Sequence, residues 1–117
     1  FCSTSVQRGC TPCPRDDVVS VGYVLCYLTH GGLPWASGDK DKEQLDGAKL
    51  VRAKNQYMEA LASTPPLQLF GLLKSAYALK QGDTPDYVYL CNLVRRMMRE
   101  RGWSPDAPLD WDKRANL

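Results

Sequence analysis

Histidine is nearly missing from this chain: His30 is the only one in 117 residues. That scarcity argues against a Ser/His or Cys/His nucleophile with a charge relay. Phosphate-cradling glycine loops are missing too, with no GxGxxG and no GxxxxGK[ST]. Neither HExxH nor GxSxG occurs. Charge of one sign is not in excess: 15 basic against 13 acidic residues leave a formal +2. This balance excludes a nucleic-acid polycation and an acidic tail protein. The longest apolar run, Val18 to Leu28, is too short to span a bilayer. No internal repeat, low-complexity tract or convincing strand pattern is found. The chain opens on Phe1 rather than Met, with no basic and apolar leader behind it. The expectation is a processed chain or an excised piece.

What is present is an ordinary globular composition, 44% hydrophobic and 24% charged. The length suits a single domain. Five cysteines occur: Cys2, Cys10, Cys13, Cys26 and Cys91. An odd count, with two of them inside apparent helices, does not match a secreted disulfide framework. A reducing compartment is the simpler reading. Cys10-Thr-Pro-Cys13 has metal-like spacing, yet no second CxxC accompanies it, and a closed zinc site needs four ligands. Two thiols in a loop is the plainer reading; zinc binding is the alternative.

The patterning predicts an all-α chain of four helices. Residues 1–15, rich in Ser, Thr, Cys, Gly and Pro, read as loop. A helix is expected over 16–30, opened by Asp16 and Asp17 at its positive end and stopped by Gly31-Gly32. Val18, Val21, Leu25 and Leu28 mark one face of it. Val19, Tyr23 and Cys26 mark another, with Val24 and Tyr27 between. A helix apolar all round is a buried one. Further helices are expected over 48–62 (Leu50, Tyr57, Met58, Leu61), 66–80 (Leu69, Phe70, Leu72, Leu73, Tyr77) and 85–101 (Tyr87, Leu90, Val94, Met97). Thr64-Pro65-Pro66 and Thr84-Pro85-Asp86 are cap-then-proline starts. Residues 102–117 form an aperiodic tail. Arg95, Arg96, Arg99 and Arg101 read as a solvated face near a helix end rather than a binding surface. Adjacent Asp16 and Asp17 would point about 100° apart on a helix, which makes them a poor acid and base pair.

A size argument follows. Three amphipathic helices barely suffice to wrap one apolar helix. Leaving four of its large side chains wet would forfeit roughly 6–12 kcal/mol, at about 1.5–3 kcal/mol each. That is comparable to the whole stability of a domain, about 5–15 kcal/mol. The missing cover is expected to lie outside this sequence.

Arg15-Asp-Asp-Val-Val-Ser-Val-Gly-Tyr-Val-Leu, followed by Gly32-Leu-Pro-Trp35, resembles the large lobe of a eukaryotic protein kinase, and more narrowly the casein kinase I superfamily. Pro85-Asp-Tyr-Val-Tyr-Leu90, Arg101-Gly-Trp103 and Leu109-Asp-Trp111 follow in order. Asp39-Lys-Asp-Lys-Glu-Gln44 is also similar to tau-tubulin kinases, and the stretch from Val51-Arg to Ala62-Ser to vaccinia-related kinases. The resemblance covers nearly the entire chain.

It implies that the apolar helix is the central post of the lobe. Asp17 then matches the residue whose carboxylate anchors the catalytic-loop backbone; otherwise it is only a helix cap. Gly22 matches a site of tight helix contact, and Pro34 and Trp35 turn the chain after the post. Residues 1–13 would end the activation segment, with Ser3, Thr4 and Ser5 in the substrate-side loop. Two departures touch that region. Family members carry a Ser-Ile-Asn-like triplet where this chain has Ser3-Thr4-Ser5, and Pro14 stands where a second arginine usually precedes Arg15. Gly38 and Lys54 are the nearest matches to parts of an anion pocket for acidic or already phosphorylated protein substrates. Lys54 stands equally as a solvated helix lysine.

Phosphoryl transfer needs a phosphate-covering loop, a strand lysine, a catalytic Asp and a metal-binding Asp, and none of those motifs occurs. Arg15-Asp16-Asp17 lacks the His and the downstream Asn of a His-Arg-Asp loop. The resemblance thus implies a cytoplasmic or nuclear Ser/Thr kinase using ATP and Mg in the parent chain. This part would be inactive alone and would fold with the remainder of the kinase domain, with no nucleic acid or membrane as partner. The rival expectation is a non-catalytic relative or helical adaptor.

Overall fold

A computed structural model describes residues 1–35 and 47–108. Its described residues are all-α, with five helices and no strand. The helices are α1 (Thr4–Gln7), α2 (Pro14–His30), α3 (Gly47–Leu61), α4 (Leu67–Tyr77) and α5 (Tyr87–Glu100).

The first helix corrects the expected loop over residues 1–15. Ser3 caps it, its Oγ accepting from the Val6 N–H at 3.2 Å. Helix α2 starts two residues earlier than expected, because Pro14 fits a first turn that has no use for its N–H. It stops where expected: Gly31 adopts φ +81°, a left-handed conformation open to glycine, and its N–H returns to the Tyr27 carbonyl at 2.9 Å. Helix α5 starts after Pro85, because the Asp86 carboxylate caps the Tyr89 N–H at 3.0 Å. Helix α4 ends before Lys80; the Ala78 N–H closes on the Lys74 carbonyl, and Asp83 then takes the Lys80 N–H at 2.8 Å. The motif Leu109-Asp-Trp111 and residues 36–46, Gly38 among them, lie outside the described residues.

Helix α2 is the spine, and α4 is its main neighbour. The buried residues of α2 are Asp16, Val19, Gly22, Tyr23 and Cys26. Their spacing of three and four places them on one face. They meet Leu69, Leu72, Leu73 and Ala76 of α4 in the core, with Leu61 of α3 and Leu90 and Met97 of α5. The opposite face of α2 is largely exposed among the described residues, with Phe1 packed edge-on against Tyr27. Val21 is 55% exposed and Leu28 72% exposed, with Val24 and Tyr27 exposed between them. The helix is therefore buried on one side, not all round.

Gly22 sets how closely α2 and α4 approach. A Cβ at that position would lie 2.6 Å from Leu73 Cδ2 and 2.9 Å from Leu72 Cδ2 and Leu73 Cγ. Both leucines are in the core, so neither can swing into free space. Gly22→Ala gains about 1 kcal/mol of helix propensity. Overpacking costs about 1–3 kcal/mol and dominates here. The expected outcome is a lower thermal midpoint, read by circular dichroism; a raised midpoint would mean that the contact relaxes freely.

Candidate functional site

The start of α2 gathers the polar chemistry of the molecule, and Asp16 is its hub. Asp16 is only 4% exposed. Its Oδ1 accepts from Ser3 Oγ at 2.6 Å. Its Oδ2 accepts from the Cys13 N–H at 2.9 Å and the Cys13 thiol at 3.3 Å. Burial pushes the carboxyl upward. The Ser3 hydroxyl, the Cys13 amide and thiol, and the nearby Arg15 charge outweigh it and hold the group below the ordinary carboxylate range. Arg15 itself reaches across to the turn after α4, donating to the Leu79 carbonyl at 2.7 Å and to Gln81 Oε1 at 3.0 Å. It also donates to Ser5 Oγ at 3.4 Å.

Asp17, the residue singled out from the sequence, points the other way. It is exposed and makes no hydrogen bond or ion pair among the described residues. It stands at the head of an open apolar groove walled by Pro14, Val18, Val21, Leu72, Tyr87, Leu90, Cys91 and Val94. The two adjacent carboxylates thus have opposite environments, as their angular separation on a helix dictates.

Ser3 and Thr4 are buried, and Ser5 is half-buried. The Thr4 N–H donates to the Tyr77 hydroxyl at 3.4 Å, and Tyr77 in turn hydrogen-bonds Tyr23 of α2. Burial, with that bond, drives the Tyr23 phenol far above its ordinary range, so it stays neutral. The triplet is folded inward as a helical turn rather than displayed as a loop.

Lys54 overturns the solvated-lysine alternative. It is 2% exposed. Its Nζ donates to the Cys2 carbonyl at 2.7 Å and to Gln7 Oε1 at 3.5 Å, and lies 3.7 Å from Cys2 Sγ. The ammonium also sits over the rings of Tyr23 and Trp35, at 5.6 and 5.8 Å from their centroids. Lys54 therefore ties residues 1–7 to α3. The structure does not describe its matched partner Gly38.

Sequence reasoning read Asp16 only as a helix-opening charge and did not find its buried hub role or the burial of Lys54, and both had signals. Cys13 and Asp16 have the three-residue spacing of a reciprocal cap. Lys54 falls in register with Val51, Met58 and Leu61, the inward side of α3. Cys10 is exposed, and Cys13 is engaged with Asp16. Among the described residues no group of three or more His, Cys, Asp or Glu side chains stands together to hold a metal. None of the described helices is long and apolar enough to cross a membrane. No protein-family model matches the chain.

The two aspartates make a paired prediction. Asp16→Ala strands the Ser3 hydroxyl and the Cys13 amide, each worth about 1–3 kcal/mol when buried and unpaired. Asp17→Ala loses only a helix-dipole contribution, about 0.3–1 kcal/mol. Urea midpoints should separate them in that order. The acid limb carries the same signature. Asp16 has a lowered folded pKa, so its stabilisation is complete above the unfolded carboxyl pKa and is lost as pH falls through the folded value. A pH series should show stability falling below the ordinary carboxylate range, with a shallower fall in Asp16→Ala.

Proposed function

We propose that this chain is the carboxyl-side part of the large lobe of a casein-kinase-I-like Ser/Thr protein kinase. The observation that carries the reading is the largely exposed face of α2 with Asp17 free at its head. An apolar helix clad on one side only is a post awaiting further cover. An exposed, unpartnered carboxylate at its start can accept backbone amides from a segment laid across it. That is the role the resemblance gives Asp17 toward the catalytic loop. The tight α2–α4 approach at Gly22 supports the same reading, as does the turn after α2, where Trp35 packs edge-on against Tyr23 and Tyr57.

In the parent protein, transfer would run from ATP to a Ser or Thr hydroxyl by positioning and electrostatic stabilisation. The residues of this chain do not fit Mg-ATP, since neither the phosphate-covering loop nor the metal-binding and catalytic carboxylate motifs are among them. No step of the transfer is therefore assigned to them. Their part is scaffold and substrate-side surface. Ser3, Thr4 and Ser5 brace that surface from within through Asp16, Tyr77 and Arg15. Lys54 would meet an acidic or phosphorylated substrate only by exchanging its bond to the Cys2 carbonyl. The parent would be a cytoplasmic or nuclear enzyme.

A second reading, a non-catalytic helical module, is favoured by one observation. The groove between α2 and α5 is apolar and open, as a partner-binding groove would be. The encoded sequence upstream of Phe1 decides between the two. A kinase parent requires His-Arg-Asp and Asp-Phe-Gly in the preceding hundred or so residues, on the order of half a domain. An upstream stretch without either motif would remove the enzyme and leave the binding module.

A further inference from the structure

Cys2 is not an isolated thiol. Its Sγ donates to Gln7 Oε1 at 3.3 Å, and the Lys54 Nζ lies 3.7 Å from the same sulfur. Gln7 Oε1 also accepts from that Nζ at 3.5 Å, so one amide oxygen holds thiol and amine side by side. The Cys2 carbonyl, at 2.7 Å from Nζ, fixes the lysine from a third direction. The lysine is almost fully buried, whereas Cys2 is half-buried, so part of that residue meets solvent.

We infer that Cys2 and Lys54 form an oxidative cross-link, a sulfenamide made when peroxide reaches the thiol. In the first step hydrogen peroxide transfers an oxygen atom to Cys2, giving the sulfenic acid and one water. In the second step the Lys54 ammonium first releases one proton to solvent, which frees the nitrogen lone pair, and the neutral amine attacks that sulfur. The S–N bond forms, the S–O bond breaks, and hydroxide leaves with a second nitrogen proton as water. The third proton stays on nitrogen. Sulfur has lost two electrons and peroxide has gained them. A thiol reductant reverses the link by attacking sulfur and releasing the amine.

The bond would staple residues 1–7 to α3 and abolish the Lys54 charge. It acts on an amine already turned inward, so it needs no rearrangement of the helices. The inference stands apart from the kinase reading, because it depends only on the placement of Cys2, Gln7 and Lys54.

The test is intact-mass and peptide mapping of the full 117-residue chain. The folded protein is treated with hydrogen peroxide, with and without dimedone to trap sulfenic acid, and alongside a urea-denatured control. The expected product is a Cys2–Lys54 linked peptide lighter by two hydrogens, lost on adding dithiothreitol and absent from the denatured control. Lys54→Arg keeps the charge but supplies no condensing amine, so Cys2 should then carry dimedone several-fold more than in the unaltered chain. Cys2→Ser should abolish the link. Three results would overturn the inference: equal dimedone labelling with and without Lys54, a Cys2 disulfide to Cys10, Cys13, Cys26 or Cys91, or a link that retains the peroxide oxygen.

Discussion

The packing of α2 against α4 is the constraint on which the molecule rests. One face of α2, from Val19 through Tyr23 to Cys26, is sealed by the leucines of α4, and Gly22 lets the two helices close. Everything else is referred to that pair. Helices α3 and α5 add Leu61, Leu90 and Met97 to its edges. The polar joint at Asp16 pins residues 3–13 to its head, and Arg15 pins the turn after α4 to the same place. A single buried carboxylate can hold so much because each of its oxygens meets donors already fixed by local chain geometry, which turns a costly desolvation into a net anchor.

The other face of α2 is largely exposed among the described residues. Val21, Val24 and Leu28 repeat at helical spacing and are exposed among the described residues, and Asp17 continues the line at the head of the groove. Adjacent residues of one helix thus divide the work. Asp16 serves the interior of this chain, while Asp17 is exposed. The kinase-like reading gives that division a reason, because a lobe post must hold its own helices on one side and the catalytic segment on the other.

Much of this was legible in the sequence, and the failures have physical causes. Periodicity picked out the covered face, Val19–Tyr23–Cys26, but its second face, Val18–Val21–Leu25–Leu28, is split: Val18 and Leu25 pack against the core, while Val21 and Leu28 are exposed with Val24 and Tyr27. It could not say which face this chain covers, because both are apolar. Gly31 and the proline starts fixed helix ends to within a few residues. The short turn over Thr4–Gln7 escaped because four residues carry no periodicity, and its only sign was a serine able to cap. Asp16 was overshadowed by its neighbour, since composition gives two adjacent aspartates the same weight and only the fold sets them apart. Lys54 was read by its charge rather than its register, and the carbonyl and aromatic rings that make its burial tolerable come from Cys2, Tyr23 and Trp35, distant in sequence.

The half-clad state of α2 is the claim most open to direct measurement. Sedimentation velocity of the 117-residue chain, compared with a Val21→Gln, Leu28→Gln double variant, tests it with circular dichroism run in parallel. The account predicts concentration-dependent self-association of the unaltered chain. The double variant should be monomeric with the same helical signal, because among the described residues both changed side chains are largely exposed and outside the core. A monomeric unaltered chain whose double variant loses its helical signal would place Val21 and Leu28 in the core and contradict the account.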